Sequence, residues 1–303
     1  MKIKMNDMSS EEVDRISSLP EDVLHHIFSF LNTKHTVQTC VLSKRWRYFW
    51  TSLPFLNFIF DPRGYYWLSK KLRSFQRFVT SVFFFRNDSN LQRLTFSCKS
   101  SVESSFLNMV IHYAVSHNVQ ELTIKACADR SFEWPPCLLT CQSLKTLHVD
   151  AFYGSKGSGM EIIANCPNLE NLVLVNITDF NISAPKLRNL EILSDPNPYQ
   201  ADAKIVVSTP KLTSFKYEGC NPLLGSLEDL SCLEKVHIAL LPGFPYCDLQ
   251  DEEKLAIALN LFTTLRVLRN AKSLTLSLVA IKANDGTVSW IIERGQKKEN
   301  DGD

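Results

Sequence analysis

The chain has 303 residues, with 33 Lys and Arg against 32 Asp and Glu and a formal net charge of +1. So even a balance provides no long-range field for nucleic acid, and 45% hydrophobic residues with 21% charged exclude wholesale disorder. The opening MKIKMNDMSSEEVDR has no apolar core for a secretory signal, and no apolar run approaches the ~18 residues of a membrane helix. The chain therefore reads as intracellular, in nucleus or cytoplasm. Its nine cysteines, odd in number and irregularly spaced, read as reduced thiols.

The segment from Asp14 to Phe55 reads as three short helices. Ser18 and Glu21 have capping-box spacing around Leu19-Pro20, with Pro20 suited to a first helical turn. Val23, Leu24, Ile27, Phe28 and Leu31 recur at helical spacing as one broad apolar stripe. Asn32-Thr33 breaks that helix and caps a second, from Lys34 to Leu42. Ser43 can cap a third, SKRWRYFW, with Trp46 and Trp50 four apart on one face and Pro54 as its stop. About forty residues cannot bury a self-sufficient core. Their apolar positions exceed internal need, so the segment is read as a docking module that leaves part of its surface to a partner. The basic-aromatic run KRWRYF is read as a helix face, with Trp46 packed on it, rather than as an RNA-stacking platform.

Leu19-Pro20, Val23-Leu24, Ile27 and Leu31, followed by VLSKRWRYFWTSLP, resemble the F-box, in the form found in plant F-box/leucine-rich-repeat proteins. Asn32 stands where proline is common in that family. The resemblance implies binding to a Skp-type adaptor and, through it, to a cullin-RING ubiquitin ligase. By position it assigns Leu19, Pro20, Leu24, Ile27, Leu31 and Trp46 as adaptor-facing or adaptor-supporting residues.

Leu68, Leu72, Phe75, Val79 and Val82 mark an amphipathic helix in a helical linker spanning 56–90. Beyond it one phrase recurs: apolar, two variable, apolar, one variable, apolar. It starts at Leu91, Val119, Leu144, Leu169, Leu187, Leu212, Leu233 and Ala271. Most of these intervals fall within the ~20–29 residues of a leucine-rich repeat. Each phrase is expected to be a short parallel strand whose last two apolar residues enter the core, the chain crossing over as a helix or turn. Phe106, Val110, Ile111, Ala114 and Val115 mark one such helix, ended at His117-Asn118, and Leu255, Ala258, Leu259, Phe262 and Leu265 another. Lead-ins such as Cys166-Pro-Asn-Leu169 and Thr209-Pro-Lys-Leu212 are similar to repeat entries of the same plant family. The expected division is a docking module over 14–55, the linker over 56–90, a leucine-rich-repeat solenoid over 91–283 and a polar, disordered tail over 284–303, an α/β (α+β) chain in all. Only Val288, Trp290, Ile291 and Ile292 remain to cover the last strand.

No catalytic constellation emerges. Gly154, Gly157 and Gly159 lack phosphate-loop spacing, and Cys137 and Cys141 lack a second pair for zinc. His148 and Asp150 share a strand face but occupy variable repeat positions. No catalytic residue, metal or cofactor is assigned. The variable positions are instead read as a target-binding surface: Arg93, Thr95, Glu121, Lys125, His148, Asp150, Glu191, Lys216, Glu218, Lys235 and His237. The sequence thus points to a non-catalytic specificity subunit of a Skp/cullin/F-box ligase that holds a protein target. A decoy lacking a target and a receptor requiring a small ligand are the alternatives of the same architecture.

Overall fold

The computed structural model describes residues 19–62, 68–128, 132–150, 166–177, 180–194, 204–219, 224–228, 230–240, 259, 262, 264–266, 268 and 271–278. Ser18, the glycine segment 154–159 and everything beyond 278 lie outside the described residues, as does most of the helix expected from Leu255 to Leu265.

Helix α1 (Glu21–Ser29) opens with Pro20 at the N-cap, whose carbonyl accepts from Leu24 N–H at 3.1 Å. Pro20 offers no side-chain cap, and the Ser18 half of the expected capping box lies outside the described residues. Helix α2 (Thr33–Gln38) begins as expected, with Asn32 Oδ1 accepting from His35 N–H at 2.9 Å, and continues as a 3₁₀ turn over Thr39–Val41. The third expected helix is not α-helical: Ser43 Oγ accepts from Trp46 N–H at 3.2 Å, but turns follow and only Phe49–Ser52 forms a 3₁₀ segment. Packing explains the difference. Trp46 joins Phe28 in the module's core, whereas Trp50 touches both that core and the larger one behind it. A regular helix would aim both indoles the same way.

All eight repeat phrases become strands of one parallel sheet. Its members are β2 (Arg93–Val102), β3 (Glu121–Ala128), β4 (Thr146–Asp150), β5 (Asn171–Val175), β7 (Asn189–Leu193), β9 (Ser214–Gly219), β11 (Lys235–Leu240) and β12 (Ser273–Leu278). A ninth strand, β1 (Phe55–Phe60), pairs with β2 in register Leu56 to Leu94. It falls where the sequence reading has only a helical linker; the alternating Leu56, Phe58 and Phe60, all buried, are its signature. The last two apolar positions of each phrase are buried, as in Leu122/Ile124 and Leu172/Leu174, except in β12, where Leu274 and Leu276 are exposed.

The crossovers differ along the chain. α3 (Leu68–Phe85), α4 (Ser104–Ser116) and the single turn α5 (Pro136–Leu139) back the early strands. Asn118, at φ 54°, ends α4 in a Schellman motif: its N–H donates to Val115 O and Val119 N–H to Ala114 O, each at 3.1 Å. The crossovers from β5 to β7, β7 to β9 and β9 to β11 each carry a short strand where a helix or turn was expected. β6 (Phe180–Ser183), β8 (Lys204–Ser208) and β10 (Leu224–Glu228) form a second parallel sheet, ordered β10-β8-β6.

One backbone column runs the length of the sheet. Pro54 O accepts from the N–H groups of both Gln92 and Arg93; Gln92 O does the same for Gln120 and Glu121, and the pattern repeats at Gln120, Lys145, Glu170, Arg188 and Thr213. Its first acceptor therefore belongs to the docking module. The two parts are joined further by Asn57 N–H donating to buried Thr33 Oγ1 at 2.7 Å and by Asn87 N–H donating to Thr51 O at 3.2 Å. Arg86 completes the joint. Its buried guanidinium donates to the carbonyls of Leu53 (2.9 Å), Ser89 (2.7 Å), Asn87 and Asn90 (both 3.3 Å).

Candidate functional site

The apolar stripe of α1 is divided between two environments. Leu24, 0% exposed, and Phe28 face inward with Trp46 and Leu53, and Phe28 meets Trp46 edge-on at 5.4 Å. Val23 (42% exposed), Ile27 (41%) and Phe30 (74%) stand on the other side at i, i+4 and i+7, a solvent-facing apolar line. Of the six residues assigned to the adaptor, Leu24 and Trp46 are thus core residues that support the surface without forming it. Ile27 and Pro20 are exposed, while Leu19 and Leu31 are half-buried against the core. Leu19 O accepts from Arg45 Nη1 at 2.8 Å, which holds the helix entry. Val23 belongs to the sequence stripe but not to the assigned set, and Phe30 to neither; their exposure marks them. Val41, Leu42 and Tyr48 of the same module are exposed as well. Buried Trp46 is unavailable for base stacking.

The target-facing candidates fall into three outward rows fixed by strand register. The first row runs Arg93, Glu121, Thr146, Asn171, Asn189, Ser214, Lys235. Much of it is satisfied internally: Arg93 Nε meets Glu121 at 2.6 Å, Asn171 donates to Thr146 at 3.1 Å and Asn189 to Asn171 at 2.6 Å. The second row carries Thr95, Thr123, His148, Val173, Glu191, Lys216 and His237. The third carries Ser97, Lys125, Asp150, Val175, Leu193, Glu218 and Ala239. Lys216 lies 3.0 Å from Glu218, and His237 Nε2 lies 3.6 Å from the same carboxylate. All eleven assigned residues lie on this one face. Sequence reading did not single out Val173, Val175 and Leu193, the aliphatic patch among them.

Burial first, and Lys125 second, hold the His148 pKa below its ordinary value of 6.5, and its buried Nε2 has no hydrogen-bond partner. A histidine depressed by folding contributes its stability in full above pH 6.5 and loses it as the pH falls toward the folded value. Wild type should therefore lose more melting temperature than His148→Gln between pH 7.5 and 5.5; equal losses would contradict this.

The thiols of Cys98 and Cys166 are pushed up to about 11, chiefly by burial, which makes them poor nucleophiles. Among the described residues, no group of three His, Cys, Asp or Glu is placed to hold a metal ion, and no helix is long and apolar enough to cross a membrane. The arrangement presents two exposed faces, one apolar on the N-terminal helices and one mixed on the sheet.

Comparison with known proteins matches residues 16–58 to the F-box domain. The chain is similar to an FBD-associated F-box protein of Arabidopsis thaliana, 29% identical over 244 residues, covering 72% of this chain and 57% of that protein. An F-box/FBD/LRR-repeat protein of the same plant is 30% identical over 237 residues, covering 68% and 55%. A putative F-box/LRR-repeat protein, also from Arabidopsis thaliana, is 31% identical over 206 residues, covering 59% and 42%. The chain spans about half the length of these curated relatives.

Proposed function

Because the chain belongs to the plant family of F-box proteins with leucine-rich repeats, we propose that it is the specificity subunit of a Skp/cullin/F-box ubiquitin ligase. Residues 14–55 dock on the Skp-type adaptor, and the repeats hold a protein target inside the cell. The exposed line Val23, Ile27 and Phe30 on a helix whose other edge is packed carries this reading. Covering the area still exposed on Val23 and Ile27 is worth about 1 kcal/mol each, and more on Phe30, which together favour association once shape fits. The chain itself makes no bond. Tethering raises the target's effective concentration at the ligase, which supplies the chemistry.

The test is the double substitution Val23→Asp with Ile27→Asp. Both side chains already face water, so the melting temperature should stay within a few degrees. Co-purification with a Skp-type adaptor should fall at least a hundred-fold, since two carboxylates would be buried unpaired in the interface. Undiminished capture would refute the assigned face.

A further inference from the structure

Helix α3 carries charge that its own stability does not call for. Its sequence LSKKLRSFQRFVTSVFFF holds Lys70, Lys71, Arg73 and Arg77 and no carboxylate. Lys70 and Lys71 lie in the first turn, where the helix macrodipole disfavours cations, and Arg73 and Arg77 stand four apart as like charges. All four are exposed, and none forms an ion pair among the described residues; Glu103, just ahead of α4, is paired with none of them.

Val79 and Val82 seat the helix on the core, and Phe83 stacks on Tyr113 of α4 at 3.8 Å. The opposite side turns outward as one stripe of Lys70, Arg73, Arg77, Ser81 and Phe84, with Phe85 beside it, all exposed. Phe84 is 80% exposed and meets Phe85 edge to face at 5.1 Å. Between the cations and the rings, Thr80 and Ser81 donate their hydroxyls back to the carbonyls of Gln76 (3.0 Å) and Arg77 (2.9 Å). At 1.5 Å per residue, about 6 Å separates Arg73 from Arg77 along the axis and about 10 Å separates Arg77 from Phe84.

We propose that this outer stripe of α3 docks an acidic segment of a partner protein. Two or three carboxylates of that segment meet Lys70, Arg73 and Arg77, and an apolar side chain about 10 Å further along covers Phe84 and Phe85. The carboxylates supply the negative charge that the first turns of α3 lack, and the rings leave water. Asp88, exposed three residues past the aromatic pair, opposes a phosphate backbone or an anionic membrane laid along the stripe, whereas a polypeptide can place a neutral or basic residue there. The stripe belongs to a helix that backs the strands, so it is a surface additional to the outward rows of the sheet.

The test is fluorescence anisotropy of the full chain with labelled fifteen-residue peptides. The first carries three glutamates and two leucines at the spacing of the stripe among serines, made in both chain directions. A second has lysines for the glutamates, and a third has serines for the leucines. The better direction of the first should bind at least ten-fold tighter than either of the others. Lys70→Glu with Arg73→Glu and Arg77→Glu should reverse the preference toward the lysine peptide, with the melting temperature kept or raised, because carboxylates suit the first turns of a helix. The neutral set Lys70→Gln, Arg73→Gln and Arg77→Gln should abolish the preference. Phe84→Ser with Phe85→Ser should remove the advantage of the leucines and spare that of the glutamates. Equal binding of the three peptides, or preferences untouched by the variants, overturns the proposal. Tighter binding of oligouridylate or of phosphatidylserine vesicles than of the glutamate peptide overturns it too. So does a ten-fold gain in peptide affinity on Glu11→Lys with Glu12→Lys, which would show the stripe covered by the chain's own acidic segment; unchanged affinity supports a separate partner.

Discussion

Phe28→Ala is expected to unfold the docking module and abolish adaptor capture. Phe28 is 2% exposed, and its ring lies 5.4 Å from both Trp46 and Phe49, so truncation empties the middle of the module's core. A buried Phe→Ala change costs about 3–5 kcal/mol. Among the described residues, that core has Leu24, Trp46 and Leu53 as its other buried apolar members, leaving little to absorb the loss. Protease digestion should cut between α1 and β1 in the variant and spare wild type. An uncut variant that still captures the adaptor would show that Phe28 is not the keystone inferred here. The contrast with Val23→Asp and Ile27→Asp is the sharper observation: neighbouring positions on one helix lose the same partner, one set through the fold and the other through the surface.

Arg86→Met should destabilise the joint by about 1–3 kcal/mol, since the buried Leu53 carbonyl would be left without a donor, while water can reach the part-buried carbonyls of Asn87, Ser89 and Asn90. Removing a buried charge offsets part of that loss. Arg86→Lys reaches fewer carbonyls and should fall in between. Hydrogen exchange at Asn57 and Asn87, whose N–H groups cross the same joint, should quicken in the methionine variant. Unchanged exchange at both would refute the role given to Arg86.

Sequence pattern foretold the elements that depend on local chemistry. Leu24 and Phe28 declare α1 by spacing, Asn32 caps α2 through its own side chain, and eight phrases from Leu91 to Leu276 alternate as strands must. It could not say which half of the α1 stripe stays dry, because that depends on where Trp46 and Leu53, well beyond the helix in sequence, come to pack. The third helix fails for a related reason: tertiary demands on Trp46 and Trp50 override helical propensity. β1 was missed because it has no lead-in phrase, and β6, β8 and β10 because stretches such as FNIS and KIVVS are too short to show a period. Of the two faces, the docking one was legible from its excess of apolar residues. The aliphatic patch of Val173, Val175 and Leu193 on the sheet was not, since its members come from two phrases that only register aligns.

The column of paired N–H bonds that starts at Pro54 bears on inheritance. The first rung on which the repeats are built belongs to the neighbouring unit, and the strand that pairs with Leu94 and Phe96 follows it directly in the chain. Recombination that grafted this array onto a foreign headpiece would have to bring Pro54 to Phe60 along, or leave a bare, sticky end.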